Sequence, residues 1–325
     1  MDSLIFAVNS VAPIVLLMAI GYILKKLDFM SPSFAKQANK LVFHIFLPIT
    51  LFLNIYNITD FGGMDFGYFA YAAVSEVIIF IVATPLVMLM TKRGDRRGVL
   101  LQAAFRSNYT LIGVPLAVFL CGSDGGAVAT LLSALAVPLL NVLSVISYSI
   151  YKDGEKPSIK KMLLGIVKNP LIQAIFAGLV CLGIRALFVK AGISFRLDHI
   201  EPVYTVLKYL SALSTPLALL VLGAQFEFSA VPELKKEIIW GTLLRSVIVP
   251  ALGLGCAYLF FDFEGVHFAS FIALFATPLG VSSVPMAQEM GADATLAGQI
   301  VAWSAIASIV TIFLSTFLLS LAGVF

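Results

Sequence analysis

Charge is what this chain has least of. Lys, Arg, Asp and Glu together make up 12% of its 325 residues, against about one quarter in ordinary soluble domains. That scarcity leaves no stretch from which a separate soluble domain could be built. Histidine is also rare, and His44, His199 and His267 show no metal-ligand spacing. The three cysteines, Cys121, Cys181 and Cys256, stand singly in or at the ends of apolar stretches, so they give neither a disulfide framework nor a metal site. A Walker loop, a His-Glu-x-x-His and a Gly-x-Ser-x-Gly are all missing. Their absence removes a nucleotide-driven pump and leaves a membrane enzyme unsupported.

Apolar length is what is abundant. Hydrophobic residues make up 60% of the chain and the mean hydropathy is +1.01. At about 20 apolar residues per span, the sequence divides into ten: 3–24, 38–58, 67–90, 98–121, 126–150, 169–189, 203–225, 236–260, 266–289 and 294–322. The expected class is an all-α membrane protein with short connections, the longest at Lys152 to Lys161. Met1-Asp2-Ser3 lacks a basic region and a small-residue cleavage site, so the first span is expected to be retained.

Basic residues orient the spans. Lys25, Lys26, Lys36 and Lys40 follow span 1; Lys92, Arg93, Arg96 and Arg97 follow span 3; Lys152, Lys156, Lys160, Lys161 and Lys168 follow span 5. The alternate connections carry acids instead (Asp60, Asp65, Asp124, Asp262, Glu264). Both termini are therefore expected outside, in a cell membrane, with Arg185, Lys190 and Arg196 dissenting. The net charge of +3 reflects these inner connections and implies no nucleic-acid partner.

Two stretches interrupt apolar spans at matching places: Asn108 to Pro115 in span 4 and Pro278 to Pro285 in span 9. Proline removes a backbone donor and collides with the carbonyl four residues back, and glycine loosens the helix further. Gly113, Pro115, Pro278, Gly280 and Pro285 supply both effects. In hydrocarbon the freed groups would each cost several kcal/mol, so such breaks belong inside protein or beside water. A matched pair is the sequence sign of a transporter's substrate site.

An internal repeat runs through the same places. At an offset of 168, Lys40 and Pro48 fall on Lys208 and Pro216; at 170, Phe105, Val114, Pro115 and Ala117 fall on Phe275, Val284, Pro285 and Ala287. At 169, Gly122 and Asp124 fall on Gly291 and Asp293. The expected organisation is two five-span repeats, 1–151 and 160–325, inverted because five is odd. Inverted repeats with broken helices imply alternating access.

Several segments carry a family likeness: Ala38-Asn39-Lys40-Leu41-Val42 with Leu47-Pro48, Phe105-Arg106-Ser107-Asn108, Lys168-Asn169-Pro170-Leu171, Pro216 to Ala224, and Ala292-Asp293 with Ala297 to Val301. Together they resemble the auxin efflux carrier family, and more closely its bacterial members described as malate, malonate or oxalate permeases. The resemblance implies the ten-span inverted-repeat fold shared with bile acid:sodium symporters and sodium/proton antiporters. It further implies a scaffold, about 1–60 and 169–228, that forms a homodimer. A transport bundle, about 66–151 and 235–325, would move against it. Plant members carry an Asn-Pro-Asn type break; here the residues are Ser107-Asn108-Tyr109, so auxin itself does not carry over.

The chemistry these residues suit is anion binding. Half-helix N-termini favour an anion, and Ser107, Asn108, Thr110, Ser282 and Ser283, with Asn141 in span 5, add neutral hydrogen-bonding groups. The alternative for the hydroxyls is bonding to their own helix backbone. An arginine at the bilayer centre costs about 2.5–3.5 kcal/mol, so Arg106 is either a carboxylate clamp or a snorkelling residue. Glu76, whose repeat counterpart is Arg245, is either a proton-linked carboxylate or half of a buried ion pair. Gln288 and Glu289 follow the second break, where bile acid symporters hold sodium with a carboxylate; the other reading is an exposed helix end. Gln225 is a weaker polar candidate, and Lys40 and Lys208 read as interfacial anchors. No cofactor is expected beyond a coupling proton or sodium ion. A carrier of small organic anions leads, with an anion channel or a carrier of amphipathic weak acids as alternatives.

Overall fold

The computed structural model describes residues 2–58, 66–151 and 164–325. Asp60, Asp65, Lys152, Lys156, Lys160 and Lys161, on which the orientation partly rests, lie outside the described residues. The described chain is helical, with an isolated antiparallel bridge between Ser107 and Leu279. In order come α1 (Asp2–Lys26), α2 (Pro32–Tyr56), α3 (Phe66–Met90), α4 (Gly94–Phe105), α5 (Tyr109–Ile150), α6 (Pro170–Lys190), α7 (Glu201–Gln225), α8 (Phe228–Phe260), α9 (Gly265–Phe275), α10 (Ser283–Met290) and α11 (Ala294–Leu321). Among the described residues seven of these, α2, α3, α5, α6, α7, α8 and α11, are long and apolar enough to cross a membrane. The α5 segment is two arms: Cys121 (φ −132°) and Gly122 (φ +61°) leave helical geometry between them, and only glycine takes the second of these conformations easily.

Three prolines, Pro48, Pro115 and Pro250, sit inside these helices without ending them, for a local reason. One-turn π-helical widenings occupy Val42–Phe46, Tyr109–Gly113 and Leu244–Ile248. Each is followed two residues later by a proline: Pro48, Pro115 and Pro250. A wider turn frees the carbonyl that the proline ring would strike and removes the need for the missing N–H. Pro115 therefore belongs to a continuous helix, and the interruption lies earlier, at Arg106 to Asn108. Pro285 likewise sits in the first turn of α10, where no N–H partner is required. The second interruption is Ala276 to Ser282.

Packing follows side-chain size. The α1 and α7 backbones meet where side chains are absent: a Cβ on Gly21 would stand 2.0 Å from the Leu220 carbonyl oxygen, and one on Gly223 would stand 1.9 Å from that of Met18. Such close approach is how membrane helices associate without a hydrophobic drive between them. α2 lies against α6, and α9 against α5. The two interruptions sit at the centre, with Phe268 to Val281 all buried, whereas α3 and α6 turn long apolar faces outward (Ile78, Ile81, Val82; Phe176, Leu179, Leu187).

Charges gather at the helix ends. Arg96 bonds Glu233 at 2.6 Å, Asp293 at 3.1 Å and Glu237 at 3.2 Å, joining α4, α8 and the start of α11. Nearby, hydrogen bonding from Arg93 holds the Asp95 carboxyl below the usual carboxylate range. Arg185, which dissented from the charge count, donates to the carbonyls of Tyr56 and Ile58 at the end of α2 and stacks on the Tyr56 ring. Its position follows from capping.

Candidate functional site

The two interruptions pair with each other. The Asn108 N–H donates to the Pro278 carbonyl at 2.9 Å, and the Gly280 N–H to the Arg106 carbonyl at 3.2 Å. Backbone that helices cannot satisfy thus satisfies itself across the crossing. Gly280 eases the approach: a Cβ there would make tight contacts, with the Ser107 oxygen at 3.2 Å and Arg106 Nε at 3.3 Å. Gly113 is similarly tight against Ala273, at 2.8 Å.

Beside this crossing lies a cavity of about 220 Å³. It brings together Arg106, Ser107, Asn108, Thr110, Asn141 and Ser282 from the predicted set. Arg106, 4% exposed, donates through Nη2 to Ser282 Oγ at 2.6 Å and to Asn141 Oδ1 at 3.0 Å, and through Nη1 to Met286 Sδ at 3.0 Å. Asn141 is aimed by its own Nδ2, which donates to the Val137 carbonyl at 2.8 Å. Every partner of the guanidinium is neutral, and among the described residues no carboxylate pairs with it. Ser107 Oγ and Asn108 Nδ2 are buried without hydrogen-bond partners. The arrangement is a cation with unused hydrogen-bonding groups around it, which suits a small anion.

The structure also adds wall residues that the sequence reading missed. Thr50 and Asn54 of α2 and Ser214 and Thr215 of α7 line the opposite side, and Ser214 Oγ has no partner. Thr50 and Asn54 stand one turn apart in an apolar run, a spacing that puts them on one helix face but does not by itself separate a wall residue from one bonding its own backbone. Leu47, Leu51, Leu111, Val137 and Leu140 complete an apolar portion of the wall.

Other predicted residues lie apart. Ser283 is fully buried and does not line this cavity; its carbonyl accepts from the Tyr148 hydroxyl at 3.0 Å. Gln288 lines a second cavity of about 280 Å³ with Lys25, Gln225 and Glu227. There Asn39 Nδ2 donates to Gln288 Oε1 at 2.7 Å and to Gln225 Oε1 at 3.2 Å. Glu289 stands 4.0 Å from His44. Glu76 and Arg245 are both buried, but both Glu76 oxygens lack hydrogen-bond partners and the Arg245 fork donates to backbone carbonyls.

A 311-residue stretch is 24% identical to a protein of Methanothermobacter thermautotrophicus described as an uncharacterized transporter, covering 94% of this chain and 95% of that one. A second protein, from Methanocaldococcus jannaschii and also described as an uncharacterized transporter, is 23% identical over 248 residues, 73% of this chain and 75% of its own. The family model described as membrane transport protein matches residues 6–157 and again 155–316. The chain therefore belongs to that membrane transport protein family, the family of the auxin efflux carriers.

Proposed function

We propose that this protein is a secondary transporter, a permease that moves small organic anions across the cell membrane by alternating access. The observation that carries the reading is the buried Arg106 guanidinium, which faces a cavity of neutral hydrogen-bonding groups and has no carboxylate partner among the described residues. A transported carboxylate supplies the missing charge. It is released again because its other contacts are neutral hydroxyls and amides, not further cations. Di- and monocarboxylates such as malate and malonate fit this chemistry, and the apolar part of the wall also suits an amphipathic weak acid.

In this reading the chain forms ten spans, with α4 and the first arm of α5 making span 4, and α9 and α10 making span 9. Two inverted repeats, 1–151 and 160–325, place both termini outside. The helices of 1–60 and 169–228 form the dimeric scaffold, and those of 66–151 and 235–325 the moving bundle. The repeated family match and the mutual pairing of the two interruptions support it. Glu76 carries a coupling proton in this scheme; Gln288 and Glu289 are the alternative, for sodium.

Uptake of radiolabelled malate and malonate into proteoliposomes tests the reading, with proton and sodium gradients imposed separately. Saturable uptake that Arg106→Gln and Asn108→Ala weaken strongly is expected, and the driving gradient names the coupling ion. Equal uptake by wild type and both variants would remove the site from this cavity, and conductance far above carrier turnover would make it a channel.

A further inference from the structure

The last four carbonyls of any α-helix have no partner within it, and at the crossing two helices end deep in apolar surroundings. The carbonyls at the end of α9 can be accounted for one by one. That of Ile272 accepts from the Ala276 N–H at 2.9 Å, and that of Ala273 from the Thr277 hydroxyl at 2.8 Å. The remaining two, of Leu274 and Phe275, both accept from Arg245 Nη2, at 2.7 and 2.8 Å. Arg245 Nε donates to the Thr277 carbonyl at 2.8 Å, and Nη1 reaches the Ala104 carbonyl of α4 at 3.5 Å. Of the five N–H groups a guanidinium offers, four are thus directed at backbone oxygens of the two interrupted helices. Arg245 itself is fully buried.

We propose that Arg245 is the positioning residue of the crossing: it braces the ends of both α4 and α9, so that Arg106 to Asn108 and Ala276 to Ser282 meet in the register that builds the anion site. The transport readout of this role rests on the anion-carrier reading above; the brace itself does not. The physical case has two parts. Its donors satisfy carbonyls that would otherwise be orphaned in a dry interior. Its charge also lies where two helix C-terminal dipoles, each negative, converge. The local sequence serves this placement. Arg245 stands in the widened turn that precedes Pro250, and α8 presses close enough to α9 that a Cβ on Gly253 would stand 2.6 Å from the Phe275 ring. An ion pair with Glu76 does not account for these bonds, since neither Glu76 oxygen accepts one.

Hydrogen–deuterium exchange of the purified full-length protein distinguishes the brace from the ion pair. The peptides to follow are 104–112 and 274–284, with α6 as reference, in wild type, Arg245→Met, Arg245→Lys, Glu76→Gln and the double variant Glu76→Gln/Arg245→Met. Arg245→Met should speed exchange about tenfold or more in both interruptions and leave α6 unchanged. Arg245→Lys, which keeps the charge but not the planar fork and guards against a variant that fails to fold, should fall between. Glu76→Gln should match wild type, and the double variant should match Arg245→Met. In malonate uptake, Arg245→Lys should raise the apparent KM more than it lowers the maximal rate. Wild-type protection in Arg245→Met, a rise in one interruption only, or restored protection in the double variant would each overturn the proposal. Wild type that takes up no malonate would count against the anion reading, and the exchange result would still decide this one.

Discussion

At the scale of single residues, the proposed anion chemistry rests on one charge. Arg106 is buried with three neutral partners, and charge-assisted hydrogen bonds contribute about 1.5–3 kcal/mol each. Replacing it with Gln should therefore weaken anion affinity about tenfold to a hundredfold, measured as the KM for uptake or as anion-induced thermal stabilisation. Asn54→Ala and Ser214→Ala, on the opposite wall, remove neutral hydrogen bonds and should cost about two- to tenfold in the same assay. Arg106 was legible in the sequence because a charge is rare in an apolar span, and Asn108 and Ser282 because polar residues near Gly and Pro stand out there. Asn54 and Ser214 were not, because a single amide or hydroxyl in a helix is equally suited to bonding its own backbone. What separates the two uses is what faces the side chain. Thr50 does bond its own helix, donating to the Phe46 carbonyl at 2.8 Å, whereas Ser214 Oγ does not.

Element geometry depends on where prolines and glycines fall. Pro48, Pro115 and Pro250 each follow a widened turn, so their helices continue without breaking. Pro250→Ala should let the turn in α8 relax toward regular α-helix and re-aim Arg245. Exchange in peptides 104–112 and 274–284 should then rise as in Arg245→Met, but less. Glycine acts by absence of bulk. Gly21→Val or Gly223→Val would drive a side chain into a backbone carbonyl, and overpacking of that severity costs about 3 kcal/mol or more. A lowered melting temperature in detergent, or loss of monodisperse protein, is the expected outcome. The sequence placed several helices to within a few residues because apolar runs have the length a bilayer requires, but it began α2 six residues late and α8 eight residues late. It placed the interruptions a few residues late, since proline marks where a donor is missing and not where the chain leaves the helix.

At the scale of the molecule, two cavities lie along one seam between α7 and the second interruption. Ser214, Thr215 and Ala218 line the first, with Val281 and Ser282; Leu222 and Gln225 line the second, with Val284 and Gln288. The Asn39, Gln225 and Gln288 amides tie α2 and α7 to α10 beside the second cavity. If the bundle moves against the scaffold, these bonds break in each cycle. A disulfide between Asn39→Cys and Gln288→Cys, made with Cys121, Cys181 and Cys256 replaced, should arrest uptake, and reduction should restore it. Undiminished uptake by the cross-linked protein would rule out that relative movement.

The sequence by itself determined the class of the protein, most of its helices and the neighbourhood of its candidate site. These follow from composition and from local backbone chemistry, which act over a few residues. The antiparallel pairing of Asn108 with Pro278 and Gly280 with Arg106, the contribution of α2 and α7 to the cavity, and the partners of Arg245 were decided only by the tertiary structure. Each joins residues far apart in the chain. The sequence offset set Glu76 against Arg245 as counterparts and left open whether they form a pair. Packing instead brought the guanidinium to four carbonyls at the ends of broken helices, because in a dry interior orphaned backbone oxygens compete for the same donors as a carboxylate.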